Sequence, residues 1–171
     1  MVPVLLLMVA ASNLPSTGNP LWAVQAGGLQ CYRPIPERKI CGALASYQPN
    51  GPGQYLNRAE IPLRPYSSMT MTTVTPVRIV SGAICGTVTQ ADIARAEIRT
   101  AGTLMAPEQA APLLERISRE MRRIVGHDVC TRYQRQGDDF VAKVSIDGRY
   151  EPDFDQRVIW VRASDGYHPG P

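Results

Sequence analysis

Hydrophobic positions recur along this chain with two different periods. Between Pro107 or Pro112 and Val125, the residues Leu114, Ile117, Met121 and Ile124 or Val125 fall three or four positions apart, the spacing that lines one face of an α-helix. Proline suits a first helical turn, Arg122 and Arg123 suit the negative end of the helix dipole, and Gly126 suits the left-handed position beyond the last turn. Further on the period drops to two. Val129, Thr131 and Tyr133 share one face, as do Phe140, Ala142, Val144 and Ile146, and Gly137-Asp138 between them predicts a hairpin. Residues 157–162, around Trp160, read as a further strand.

Upstream the pattern is coarser. β-branched residues accumulate from Met69 (Thr70, Thr72, Thr73, Val74, Thr75, then Val77, Ile79, Val80 and 84–88) and predict short strands broken at Pro76 and at Ser81-Gly82. Thr89-x-x-Asp92 resembles a helix capping box, but the run 96–102 parallels 142–148, each ending at a glycine turn, and this favours a strand across 91–100. Residues 47–68 are so rich in proline and glycine that an extended surface arm is expected. The predicted fold is α+β, one long amphipathic helix packed on a small antiparallel sheet with two disulfides.

The first charged side chain is Arg33. Before it lie an apolar run from Val4 to Ala11 and the small-residue pattern Val24-Gln25-Ala26, which together read as an export signal cut before Gly27. Asn13, Pro15, Asn19 and Pro20 interrupt the run well short of the roughly 18 apolar residues that a membrane span needs, so no stable membrane anchor is expected. Leu14-Pro15-Ser16-Thr17-Gly18 matches a cell-wall sorting pentapeptide, yet sorting requires it near the C-terminus. The expected organisation is a signal peptide over 1–26, a disulfide loop and extended arm over 27–68, and an α+β domain over 69–171, with 27–68 packed on it as one globular unit.

Four cysteines in an exported chain predict two disulfides. Cys31 with Cys41 would close a short loop already stiffened by Pro34 and Pro36, and Cys85 with Cys130 would tie a strand before the helix to one after it. On the loop-entropy model these closures contribute roughly 2.8 and 4 kcal/mol. No Cys-x-x-Cys pair is present for redox chemistry. Arginine supplies nearly all of the 18 basic residues, interleaved with acidic ones to a net charge of +3, so no polybasic arm for nucleic acid appears.

Candidate chemistry is sparse. Only His127 and His168 are available, too few for a histidine zinc site once the cysteines are oxidised, and no metal or cofactor is expected. Glycine-flanked serine, Walker and zincin motifs are absent. Asp147, Glu151, Asp153 and Asp155 offer oxygens to calcium but lack the EF-hand spacing. Arg116, Arg119 and Arg123 fall on one helical face, joined by Arg122, Arg132 and Arg135, as a candidate anion patch that Glu115 and Glu120 partly neutralise. The favoured reading is an exported, non-enzymatic binding or structural protein of the bacterial envelope, periplasmic or secreted, with another envelope component as partner. The rivals are a small exported hydrolase using His127 with Asp128, and a secreted inhibitor or effector presenting the Cys31–Cys41 loop.

Overall fold

The computed structural model of the chain describes residues 19–63 and 68–170. The apolar run 4–11, the sorting-like pentapeptide and part of the proline-rich 62–65 segment lie outside them. Eight strands, β1 (Gly28–Tyr32), β2 (Ala43–Pro49), β3 (Gln54–Pro62), β4 (Met69–Val80), β5 (Ala83–Thr87), β6 (Asp128–Gln136), β7 (Asp139–Ile146) and β8 (Gln156–Arg162), follow one another around a ring. Each pairs antiparallel with the next, and β8 returns to β1 with Gln30 opposite Trp160. The result is a closed up-and-down β-barrel, not an α+β sheet with a helix on one face. Every strand of the ring has a paired neighbour on each side, so no strand is left as a sheet edge along its whole length.

Two features of the sequence concealed this closure. The stretch 47–68 expected as an extended arm holds the end of β2, its turn and all of β3. Its prolines sit where a ladder tolerates them: Pro49 and Pro62 end strands, and Pro52 lies in the turn with Gly51 and Gly53, both at positive φ. The expected break at Pro76 is also missing, because β4 runs unbroken through it. β4 pairs with β5 only at 78–80, and at 69–72 it pairs instead with a short strand, Glu97–Thr100. Over 73–77 the edge facing β5 carries no ladder pairing. The Pro76 carbonyl lies beside Gly86 of β5, so the N–H that proline lacks would point to this same unladdered side. A Cβ on Gly86 would come within 2.8 Å of that carbonyl, which is why glycine is needed there.

The insertion between β5 and β6 fills the wedge. Thr89 and Asp92 form a true capping box, so 90–94 is a helix, α1 (Gln90–Ala94), rather than the start of a strand; only Glu97–Thr100 is extended. The long helix α2 (Pro107–Glu120) follows, with its last apolar residues, Met121 and Ile124, in turns beyond it. Ile93, Ile98, Met71, Ala110 and Leu114 form a buried cluster over which Leu113, Ile117, Met121 and Val125 pack. Burying a leucine such as Leu114 contributes about 1.5–3 kcal/mol. The helix stripe therefore covers the barrel mouth instead of the face of an open sheet.

Cys85 and Cys130, directly opposed on β5 and β6, are joined at the neck of this insertion. Cys31 is joined to Cys41 on the outer wall, in a cluster with Val161, Leu29, Leu44, Ile159 and Tyr167. Ile40–Cys41 pairs in parallel with the C-terminal His168–Pro169. At the opposite end of the barrel, Leu21 and Ala23 are buried and Trp22 packs its ring against Trp160 at 6.2 Å. Among the described residues no helix is long and apolar enough to cross a membrane.

Candidate functional site

Strand alternation fixes what points inward. Cross-strand partners share a face, so the pairs Ile61–Met71, Ala59–Thr73 and Asn57–Thr75 on β3 and β4, together with Val129, Thr131 and Tyr133 on β6, descend from the helix-capped mouth into the barrel. An eight-stranded barrel has an interior just wide enough for side chains to fill or for one small ligand. Here several inward positions are small. Ala59 and Gly86 line a partly open cavity of about 220 Å³. Its upper wall is apolar: Ile61, Met71 and Val129 from the strands, Val88 just past β5, Ile93 from α1, Met121 and Ile124 beyond α2. Its deeper wall is polar but uncharged, with Asn57, Thr73, Thr75, Thr131, Tyr32, Tyr47 and Tyr133.

The polar wall is organised by one residue. Gln30 is fully buried, and its Oε1 accepts hydrogen bonds from Tyr32 (2.8 Å), Tyr47 (2.8 Å) and Tyr133 (3.1 Å). The Tyr32 and Tyr133 hydroxyls are also 2.6 Å apart. Burial pushes all three phenols above their ordinary pKa; for Tyr32 and Tyr47 the neighbouring phenols add to it, whereas hydrogen bonds partly offset it for Tyr133. They therefore remain neutral at physiological pH. The other end of the same amide, Gln30 Nε2, is buried with no hydrogen-bond partner. A buried donor left unpaired costs about 1–3 kcal/mol.

The charged residues gather elsewhere, at the rim on the helix side. His127 Nδ1 lies 2.7 Å from Asp147 Oδ2, and Asp147 Oδ1 accepts from the Asp128 backbone N–H at 3.0 Å. The hydrogen bond to His127, helped by that N–H, holds the Asp147 carboxyl below the usual range. Arg123 and Arg149 both reach Glu151, at 3.2 and 3.0 Å, and these groups with Ile146 line an open cleft of about 430 Å³. The hydrolase pairing expected from sequence is not assembled: His127 pairs with Asp147, while Asp128 pairs with Arg78 at 3.3 Å. No serine or threonine lines that cleft.

Arg116, Arg119 and Arg123, the arginines considered for an anion patch, each have local partners. Arg116 is bound to Glu120 (2.9 Å), Arg119 to Glu115 (2.8 Å), and Arg123 to Glu151 while its guanidinium lies over Phe154. Arg135 donates to the Gly137 carbonyl and Arg132 sits on the β6 face beside Lys143. The acidic run considered for calcium is likewise committed to cations, with Asp155 held by Lys143 and Tyr150. Among the described residues no group of three or more His, Cys, Asp or Glu is placed to hold a metal. Sequence reasoning missed the Gln30 cluster, whose members lie up to 103 positions apart. The available signal was small and threonine-rich inward positions on otherwise strand-forming segments.

Compared with protein-family models, characterised proteins and solved structures, the chain matches none. Its two disulfides suggest a compartment outside the cytoplasm.

Proposed function

We propose that this chain is an exported, periplasmic or secreted, non-enzymatic protein that holds one small neutral molecule inside its barrel. The observation that carries the reading is a partly open 220 Å³ cavity in the barrel interior whose apolar half lies at the helix-capped mouth and whose deeper half is built from neutral polar groups. Ligand pockets combine mostly apolar walls with a few convergent polar groups. A dry cavity of about 150 Å³ accommodates benzene, so this one suits roughly nine non-hydrogen atoms by proportion. Charged ligands are disfavoured, because no cation or anion among the lining residues would pair with them. Delivery to another envelope component remains compatible with such a carrier.

The test is thermal melting with and without one-ring neutral compounds. A ligand at about 100 times its Kd should stabilise the fold by about 2.7 kcal/mol. Ala59→Phe, which fills the cavity, should abolish the shift while the variant still melts cooperatively. Equal shifts in wild type and Ala59→Phe would mean that the interior is not the site.

A further inference from the structure

The Gln30 amide can occupy its buried site in two orientations of the same shape, related by rotation about its terminal bond. With Oε1 toward the tyrosines, the hydroxyl protons are consumed inside the cluster: Tyr32 and Tyr47 donate to Gln30, and Tyr133 donates to Tyr32 or to Gln30. Both protons of Nε2 are then left without an acceptor. Rotation reverses the pattern. The NH2 group now faces three hydroxyl oxygens and donates to two of them, the Tyr32–Tyr133 bond uses one phenol proton, and two phenol protons are released. The cost is an under-satisfied amide oxygen, and buried proteins leave carbonyl oxygens under-satisfied more often than they leave N–H groups orphaned. The released protons belong to Tyr47 and to one of the Tyr32–Tyr133 pair, and all three residues line the cavity.

Resting on the reading of the cavity as a ligand site, we infer that its ligand is a neutral, one-ring-sized carbonyl compound, a ketone, aldehyde or ester, whose oxygen accepts hydrogen bonds from Tyr47 and the Tyr32–Tyr133 pair. Each carbonyl oxygen has two lone pairs, matching the two free donors. The apolar remainder lies against Ile61, Met71 and Met121. A carboxylate would also accept two hydrogen bonds, but it would enter a cavity with no cationic lining residue. An alcohol suits the other amide orientation, in which the hydroxyls offer only lone pairs.

Calorimetric titration with four probes of one shape separates these cases: acetophenone, 1-phenylethanol, ethylbenzene and benzoate. Acetophenone should bind at least ~10-fold more tightly than ethylbenzene, since hydrogen bonds to a buried carbonyl provide that order of discrimination. 1-Phenylethanol should fall between them, benzoate should not bind at neutral pH, and the infrared carbonyl band of bound acetophenone should move to lower frequency. In Tyr47→Phe the preference over ethylbenzene should shrink several-fold; Tyr133→Phe supplies the same comparison where Tyr47→Phe folds poorly. Equal affinity for acetophenone and ethylbenzene, or tighter binding of the alcohol, would overturn the carbonyl inference and leave the cavity reading standing. No binding by any neutral probe would remove the cavity reading itself.

Discussion

Gln30 and its three tyrosines form an uncharged cluster inside the barrel, Gln30 fully buried and the phenols partly so, whereas His127, Asp147, Arg149 and Glu151 meet at the more exposed rim. Both are compact polar clusters with short hydrogen bonds. They differ in what a lost partner costs. At the rim, water replaces whatever is removed, and exposed ion pairs contribute about 0–1 kcal/mol. Inside, nothing replaces it, so each change leaves an unpaired group or a void. A cluster that is expensive to disturb and still incompletely paired is better explained by a ligand than by stability, and this is the reason to place function in the interior rather than at the more conspicuous His–Asp pair.

Truncation should expose that difference most strongly. Gln30→Ala removes the common hydrogen-bond partner of three phenols and enlarges the cavity, and chemical denaturation should show a loss of roughly 2–5 kcal/mol. His127→Ala, read in the same way, should stay within about 1 kcal/mol. Comparable losses would erase the distinction between the two clusters.

Titration gives the next largest contrast. The pKa of Tyr32, Tyr47 and Tyr133 is raised in the folded state, so their contribution is fully present below the unfolded value of about 10 and is lost as pH rises toward the folded values. Spectrophotometric titration should find three of the seven tyrosines ionising late, together with unfolding. At the rim the sign is opposite. Asp147 is depressed by its hydrogen bond from His127, so its contribution is present above about pH 4 and fades as pH falls through its folded pKa. That acid effect should be small and should shrink in high salt, because both partners are exposed. The smallest effect belongs to the helix surface: Arg119→Ala, which breaks an exposed pair with Glu115, should change stability by no more than about 0.5 kcal/mol.

Local periodicity made part of this structure legible. The β6–β7 hairpin and the stripe on α2 appear in the sequence because each is a pattern within one continuous segment. Barrel closure is different. It depends on β1 meeting β8 across the whole chain, and on recognising Pro49, Pro62 and Pro76 as positions where a missing N–H does no harm. The capping box at Thr89 and Asp92 was visible, and a resemblance between 96–102 and 142–148 outweighed it wrongly, since a reciprocal pair of hydrogen bonds is a stronger local cause than similar composition. Of the interior site, single members were visible without their relation. Nothing near Gln30 in the sequence announces Tyr133, and Asp128 looked like the partner of His127 only because it is adjacent.

The most direct measurement is a methyl-resolved NMR titration of the oxidised protein with acetophenone. The interior account predicts shifts concentrated at the methyl groups of Ile61, Met71, Ile93, Met121 and Ile124, which line the cavity from four different segments, and loss of those shifts in Ala59→Phe. Shifts confined to residues around His127 and Arg149, with the interior methyls unmoved, would contradict it and move the functional site to the rim.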